Sequence, residues 1–293
     1  MTNQLPILDS PPPSDPPVDQ AEAAGKYRAL RSDLADRMRE GALVAFSGGM
    51  DSAFLLWVAN AVRMDEGGTV VALTTVSPST PARDREDAEA FSRELGVPHL
   101  WRESREVSNP GYIRNDRDRC YHCKTELFRI AREVARDEGL RWILYGYNAS
   151  DHQDDRPGHR AALESGVLSP LSDAGLTKAE IRHLMTESGL ALAGKPASPC
   201  LSSRIMTGIP VTPERLRDVE AMEGILRRAG VGTLRVRICQ ADDGAGFLRV
   251  EVPPEEMSRV LDCREALQKE SESRGYRWLT LDLAGYRTGG GVK

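Results

Sequence analysis

The segment Ala42-Leu43-Val44-Ala45-Phe46, followed at once by Ser47-Gly48-Gly49-Met50-Asp51-Ser52 and then by Ala53-Phe54-Leu55-Leu56-Trp57-Val58-Ala59, constrains the fold of this chain more than any other. A short continuous apolar run reads as a strand buried on both faces, as in a parallel sheet, and the apolar stretch beyond the turn starts a helix. A strand that feeds a glycine-rich turn into a helix N-terminus gathers unpaired N–H groups and the positive end of the helix dipole at one point, which makes an anion site. Gly48 and Gly49 let the backbone approach phosphates closely, and Ser47 and Ser52 add hydroxyl donors. Asp51 is out of place in a phosphate cradle unless Mg²⁺ bridges it to the phosphates. An ordinary βα turn is the bland alternative, which the complete six-residue string disfavours. The turn lacks the Gly-Lys-Ser/Thr ending of a γ-phosphate loop, so it points to ATP cleaved between the α- and β-phosphates.

The surrounding pattern is α/β. A helix over residues 27–40 leads into the first strand; a strand over 69–76, a helix over 83–95, a short strand over 99–101, a helix over 124–137 and a strand over 142–145 follow. This alternation predicts a doubly wound parallel sheet. Residues 148–204 are rich in Gly, Pro, Asp and Ser, with one clear helix at 178–188 behind the cap Thr177. From Thr212 the texture changes to a helix over 213–228, strands over 233–239 and 246–252, a helix over 254–274 and a last strand over 277–283, a smaller C-terminal α+β domain. The expected organisation is a disordered Pro-rich tail over 1–22, the nucleotide domain over 23–205 and the C-terminal domain over 206–293.

With 293 residues, 40% of them hydrophobic, the chain can build sizeable cores, and no apolar run spans a bilayer. The net charge of −5 supplies no field for nucleic acid, which favours a small-molecule partner. The N-terminus has neither a basic n-region nor an apolar h-region, so the expected compartment is the cytoplasm.

In a reducing compartment, 5 irregularly spaced cysteines suggest metal binding or chemistry rather than a disulfide framework. Cys120 and Cys123 bracket Tyr121-His122 at the start of a predicted helix, where the dipole and flanking cations lower thiol pKa. A lone pair of thiols cannot complete a metal site, and Cys200, in a polar, proline-stiffened loop that ends in Arg204, is the natural third. A 4Fe–4S cluster, structural zinc with His122 and inert thiols all remain open on spacing alone. Cys239 and Cys263 read as packing residues.

The loop over residues 47–52 resembles that of the PP-loop ATP pyrophosphatases, whose fold is adenine nucleotide alpha hydrolase-like and which activate a substrate oxygen as an adenylate. More narrowly, the chain resembles the LarE-type sulfur transferases over most of its length. The matching segments are SGGMDSAFLL, the Arg-Pro-Gly at 156–158, Ser169-Pro170-Leu171, Gly175-Leu176-Thr177-Lys178 with Ile181-Arg182, Lys195-Pro196-Ala197, Cys200-Leu201-Ser202-Ser203-Arg204, Leu234-Arg235-Val236-Arg237 and the stretch from Leu281 to Gly289. The resemblance implies ATP and Mg²⁺ at Ser47, Gly48, Gly49, Asp51 and Ser52. It further implies adenylation of a carboxylate, of a pyridinium mononucleotide in the family, and delivery of sulfur to give a thiocarboxylate for nickel-pincer cofactor biosynthesis. Cys200, Asp51 and Glu223 are the implied catalytic residues; Arg204, Arg235 and Arg237 would serve the substrate, the last two on its phosphate. Cys120 and Cys123 with Cys200 imply the cluster-bearing subtype fed by sulfide or another sulfur donor, as opposed to members that sacrifice the cysteine. A homo-oligomer is implied as well.

The chain departs from the family at Tyr145-Gly146-Tyr147-Asn148, where an Asp-Gly-Thr-Asn-like segment is usual, at Ile205-Met206-Thr207-Gly208 and at Gly289-Gly290-Gly291. These changes flank the expected substrate pocket and leave the acceptor open. Asp151 and Asp155 are either near the site or surface carboxylates. The competing readings are an ammonia-dependent amide ligase, a tRNA thiolase and an adenine-nucleotide sensor.

Overall fold

Strand Ala42–Ala45 (β1) is buried at every position, and its side chains alternate between two cores. Ala42 and Val44 join the core on one face, while Leu43 meets Ile130, Ala131 and Val134 on the other. The computed structural model describes residues 16–153, 157–195 and 199–286.

In chain order the first elements are α1 (Gln20–Arg39), β1, α2 (Met50–Glu66), β2 (Val70–Val76), α3 (Ala82–Leu95), β3 (His99–Glu103), α4 (Pro110–Ile113), α5 (Arg119–Asp137) and β4 (Trp142–Tyr145). Short helices α6 (Pro157–Glu164) and α7 (Pro170–Asp173) and the longer α8 (Lys178–Glu187) follow. The strands form one parallel sheet in the order β3-β2-β1-β4, so the chain crosses from β3 at one edge to β4 at the other. The doubly wound α/β sheet expected from the sequence is therefore present. Leu30, Leu34 and Met38 of α1, the apolar face of α2 and Ile181 and Met185 of α8 fill one core; α5 and α6 fill the other side.

Several bounds differ from expectation. Asp19 Oδ1 accepts the N–H groups of Ala21 (2.9 Å) and Glu22 (3.1 Å), so α1 starts at Gln20, seven residues ahead of Tyr27 and inside the expected tail. Residues 1–15 of that tail lie outside the described residues. Helix α5 starts at Arg119, which places Cys120 and Cys123 within its first five residues. Helix α8 carries the capping box that Thr177 announced, with Glu180 as its reciprocal partner.

The remaining elements are α9 (Pro213–Arg228), β5 (Arg235–Gln240), β6 (Gly246–Glu251), α10 (Met257–Asp262), α11 (Arg264–Ser273) and β7 (Leu279–Leu281). The chain divides into two units, residues 16–200 with 210–212, and residues 201–209 with 213–286. In the second unit β5 and β6 pair antiparallel, β7 adds parallel to β6, and α9, with Leu216, Val219, Met222 and Leu226 buried, packs on β5 and α11. The single helix expected over 254–274 is interrupted at Cys263 (φ −103°, ψ 14°), whose Sγ donates to Val260 O at 3.4 Å. No helix among the described residues is long and apolar enough to cross a membrane.

One polar joint ties the sheet to α3. Thr74 Oγ1 donates its only proton to Phe46 O (2.6 Å), so the His99 Nε2 at 2.7 Å is assigned as the donor to Thr74, and Ser92 Oγ meets Nδ1 at 2.7 Å. Burial pushes the His99 pKa down to about 4. The unfolded chain thus binds one more proton than the fold between about pH 6.5 and 4, and stability falls as pH drops through that window. A loss on the order of 2 kcal/mol, discounted for the ring's partial exposure, is expected from thermal unfolding between pH 7 and 4.5. His99→Gln flattens that part of the profile if His99 causes it.

Candidate active site

The carboxyl ends of all four parallel strands open on one cleft enclosing about 1110 Å³ of empty space, part of it open to solvent. That is where a doubly wound sheet places ligands. Ser47, Gly49, Asp51 and Ser52 line the cleft from the end of β1, and Cys123 and Cys200 line it too.

The phosphate-loop candidate is built by short-range contacts. Gly48 has φ 71°, and a Cβ there would lie 2.6 Å from Asp84 O, so both conformation and space demand glycine. Ser52 Oγ donates to Gly49 O at 3.0 Å and lies 3.2 Å from Ser47 Oγ. Gly49 starts α2 without a side-chain cap, which leaves the helix N-terminus available to an anion. Gly146, just past β4, abuts this turn: a Cβ would fall 2.7 Å from Ser52 N and 2.9 Å from the Asp51 carbonyl carbon. Gly146→Ala is expected to displace the start of α2, cost about 1–3 kcal/mol in thermal or urea unfolding, and weaken nucleotide binding. An unchanged midpoint would contradict this contact.

Asp51 Oδ1 is buried without a hydrogen-bond partner, and Asn148 Nδ2 beside it is in the same state. Burial raises the Asp51 pKa to about 6, against the lowering effect of Lys178; Asp151 raises it further, and Asn148 and Arg182 lower it. An orphaned, partly neutralised carboxylate at the mouth of an anion site is what a divalent cation would satisfy. Lys178 and Asn148 were not singled out from the sequence as site residues. Asp151 is near the site; Asp155 lies outside the described residues.

The thiols share one neighbourhood. Burial first, then Cys200, pushes the Cys123 thiol up to about 12, the reverse of the lowering expected from the helix start: the dipole is outweighed by desolvation. Burial pulls down the Arg119 guanidinium, but Cys200 and Cys120 more than offset it. Cys120 is exposed; Gly158 of α6 is close enough that a Cβ there would lie 3.9 Å from Cys120 Cβ. Among the described residues no group of three or more His, Cys, Asp or Glu side chains is arranged to hold a metal ion. Cys239 is buried on β5 and Cys263 half-buried at the α10–α11 junction.

Two further polar features, one in the cleft and one at the phosphate loop, are not legible in the sequence. Glu106, 3% exposed, accepts hydroxyl hydrogen bonds from Ser77, Ser79 and Ser104, all of which line it. Lys195 donates to the phosphate-loop carbonyl of Gly48. The polar residues just beyond β2 and β3 were the available signal, because strand carboxyl ends carry ligands in this architecture.

Arg204, Glu223, Arg235 and Arg237 are gathered in the second unit. Glu223 is fully buried; Arg204 Nε (2.9 Å) and Nη2 (3.3 Å), Arg227 Nη2 (2.5 Å) and Val236 N (3.3 Å) donate to it. Burial opposes its ionisation, but Arg204 and then Arg227 outweigh it and hold the carboxyl below the usual range. Arg237 Nε donates to Glu251 Oε1 at 2.7 Å, while Glu251 Oε2 is buried without a partner. The Arg235 guanidinium lies 5.2 Å from the Tyr286 ring centroid, and burial followed by Arg204 lowers its pKa. Mutually repelling guanidinium groups of this kind suit an anionic ligand.

No protein-family model matches the chain. It is 38% identical over 250 residues to an uncharacterized protein of Synechocystis sp., covering 85% of this chain and 90% of that one. It is 32% identical over 272 residues to the pyridinium-3,5-bisthiocarboxylic acid mononucleotide synthase of Lactiplantibacillus plantarum, covering 92% of this chain and 94% of the synthase. An uncharacterized protein of Methanocaldococcus jannaschii is 23% identical over 264 residues. With its glycine turn, its thiols and its arginine network all falling within that near full-length match, the chain belongs to the LarE-type sulfur transferases.

Proposed function

We propose that the chain uses MgATP to adenylate the carboxylate of a small molecule, a pyridinium mononucleotide by analogy with the Lactiplantibacillus synthase, and converts it to a thiocarboxylate through Cys200. The observation that carries this reading is the placement of the glycine turn, the orphaned Asp51 carboxylate and the Cys123 and Cys200 thiols on one cleft. A substrate carboxylate oxygen attacks the α-phosphorus and pyrophosphate leaves, with the turn and the α2 N-terminus stabilising the charge that develops on the phosphates. Asp51 would hold Mg²⁺, and Lys178 offsets negative charge beside it. The acyl-adenylate is then attacked by sulfur and AMP leaves.

The donor set Cys120, Cys123 and Cys200 suits a 4Fe–4S cluster in ligand type, and when bound such a cluster would supply a renewable sulfur. Arg235 and Arg237 bind the substrate phosphate; Glu223 keeps Arg204 and Arg227 in place. The family resemblance supports a homo-oligomer as the active form. Pyrophosphate release from MgATP, measured with and without nicotinic acid mononucleotide or its dicarboxylated pyridinium analogue, tests the reading. Release that depends on the carboxylate supports it, whereas ATP binding with no carboxylate-dependent release under any of these conditions would leave only a nucleotide sensor.

A further inference from the structure

Lys195 is 7% exposed and places its ammonium 2.9 Å from Gly48 O, 2.8 Å from Asp84 Oδ1 and 2.7 Å from Asp87 Oδ2. An ammonium has three protons, and here each has an acceptor. The three acceptors belong to the phosphate loop and to the first turns of α3 (Ala82–Leu95). Lys195 itself precedes Cys200 by five positions in the chain. A buried ion pair is a poor device for stability alone, because desolvation takes back most of the Coulombic gain. This one ends on a loop carbonyl where nucleotide would bind.

We propose that Lys195 is a positioning residue that ties the phosphate loop to the chain segment carrying Cys200, so that nucleotide bound at the loop is felt at the thiol. The inference rests on the reading of ATP at residues 47–52 and of Cys200 as the sulfur-bearing residue. Two physical effects follow from the geometry. The Gly48–Gly49 peptide is planar and trans, so its carbonyl and N–H point in opposite directions. With the carbonyl held by Lys195, the Gly49 N–H is turned away from it, towards Ser47 Oγ (3.4 Å), and both Gly49 and Ser47 line the cleft. Lys195 thereby orients a donor for the incoming phosphate. It also offsets part of the charge of Asp84 and Asp87, which would otherwise face a triphosphate across the loop.

The test uses full-length anaerobic protein, iodoacetamide and peptide mass spectrometry to read the alkylation rate of Cys200 with and without α,β-methylene-ATP and Mg²⁺. In the native protein, nucleotide is expected to change that rate. In Lys195→Met, nucleotide affinity by calorimetry is expected to weaken about tenfold or more, and the change in Cys200 alkylation is expected to vanish even at saturating nucleotide. Lys195→Arg should restore part of both. Asp87→Asn, which keeps the lysine, should give an intermediate response and serves as the measured variant if Lys195→Met does not fold. A Lys195→Met protein that binds nucleotide and still transmits it to Cys200 overturns the proposal, as does a native protein that binds nucleotide without any effect at Cys200. Native protein that binds no MgATP analogue at all counts instead against the nucleotide reading on which the proposal rests.

Discussion

Cys200→Ala is expected to abolish thiocarboxylate formation, by at least ~10³-fold, while carboxylate-dependent pyrophosphate release stays within about threefold of the native protein. The split follows from the cleft. On the proposed reading, adenylation draws on the glycine turn, the α2 N-terminus and Asp51, which line the cleft without needing the thiol, and sulfur delivery draws on Cys200, as the residue consumed or as a ligand of the sulfur carrier. Cys200→Ser serves as the control for packing, because it keeps the volume and polar edge of the thiol. Cys123→Ala separates the routes: it should remove multiple turnover but spare a single sacrificial turnover if Cys200 alone supplies the sulfur. A Cys200→Ala protein with full thiolation would exclude both routes, and indifference to all three cysteines would favour ammonia as the nucleophile.

Asp51→Asn is expected to act in opposite directions on activity and stability. The rise of the Asp51 pKa from 3.8 to about 6 means that the nucleotide-free fold takes up a proton more readily than the unfolded chain. Its contribution is present at low pH and is lost as pH rises through about 6, so at pH 7 the buried charge costs on the order of 3 kcal/mol. Removing the charge should therefore raise the melting temperature of nucleotide-free protein. The same substitution should lower carboxylate-dependent pyrophosphate release by about 10²–10³-fold and remove the stabilisation that MgATP gives the native protein. With Mg²⁺ limiting, native activity should climb with pH through about 6, and saturating Mg²⁺ should move that rise to lower pH, because the cation competes with the proton. A melting temperature that falls in Asp51→Asn would contradict the account of an uncompensated buried carboxylate.

The sequence was most informative where one signal covers consecutive residues. The buried run before Ser47, the apolar run after it, and the cap Thr177 ahead of α8 all act over a few positions, and each produced its element. Where contacts join distant positions, spacing carries no record of them. Lys195 and Gly48 are 147 residues apart, and Glu106 meets Ser77 across 29. Burial is equally illegible in one dimension. The start of α5 suggested acidic thiols, yet desolvation pushes Cys123 the other way. Glu223 reads as a catalytic group near the phosphate site, and sequence carries no record that Arg204, Arg227 and Val236 N occupy its oxygens. Helix α6 is hard to read because its eight residues open on Pro157-Gly158, a pair that signals a turn.

The mass of the product tests most directly whether one cleft both makes the acyl-adenylate and delivers sulfur to it. Anaerobic protein, MgATP and a carboxylated pyridinium mononucleotide should yield AMP, pyrophosphate and a product in which one carboxylate oxygen has been replaced by sulfur. A product carrying an amide in place of that oxygen, or ATP consumed with the carboxylate returned unchanged, would contradict it.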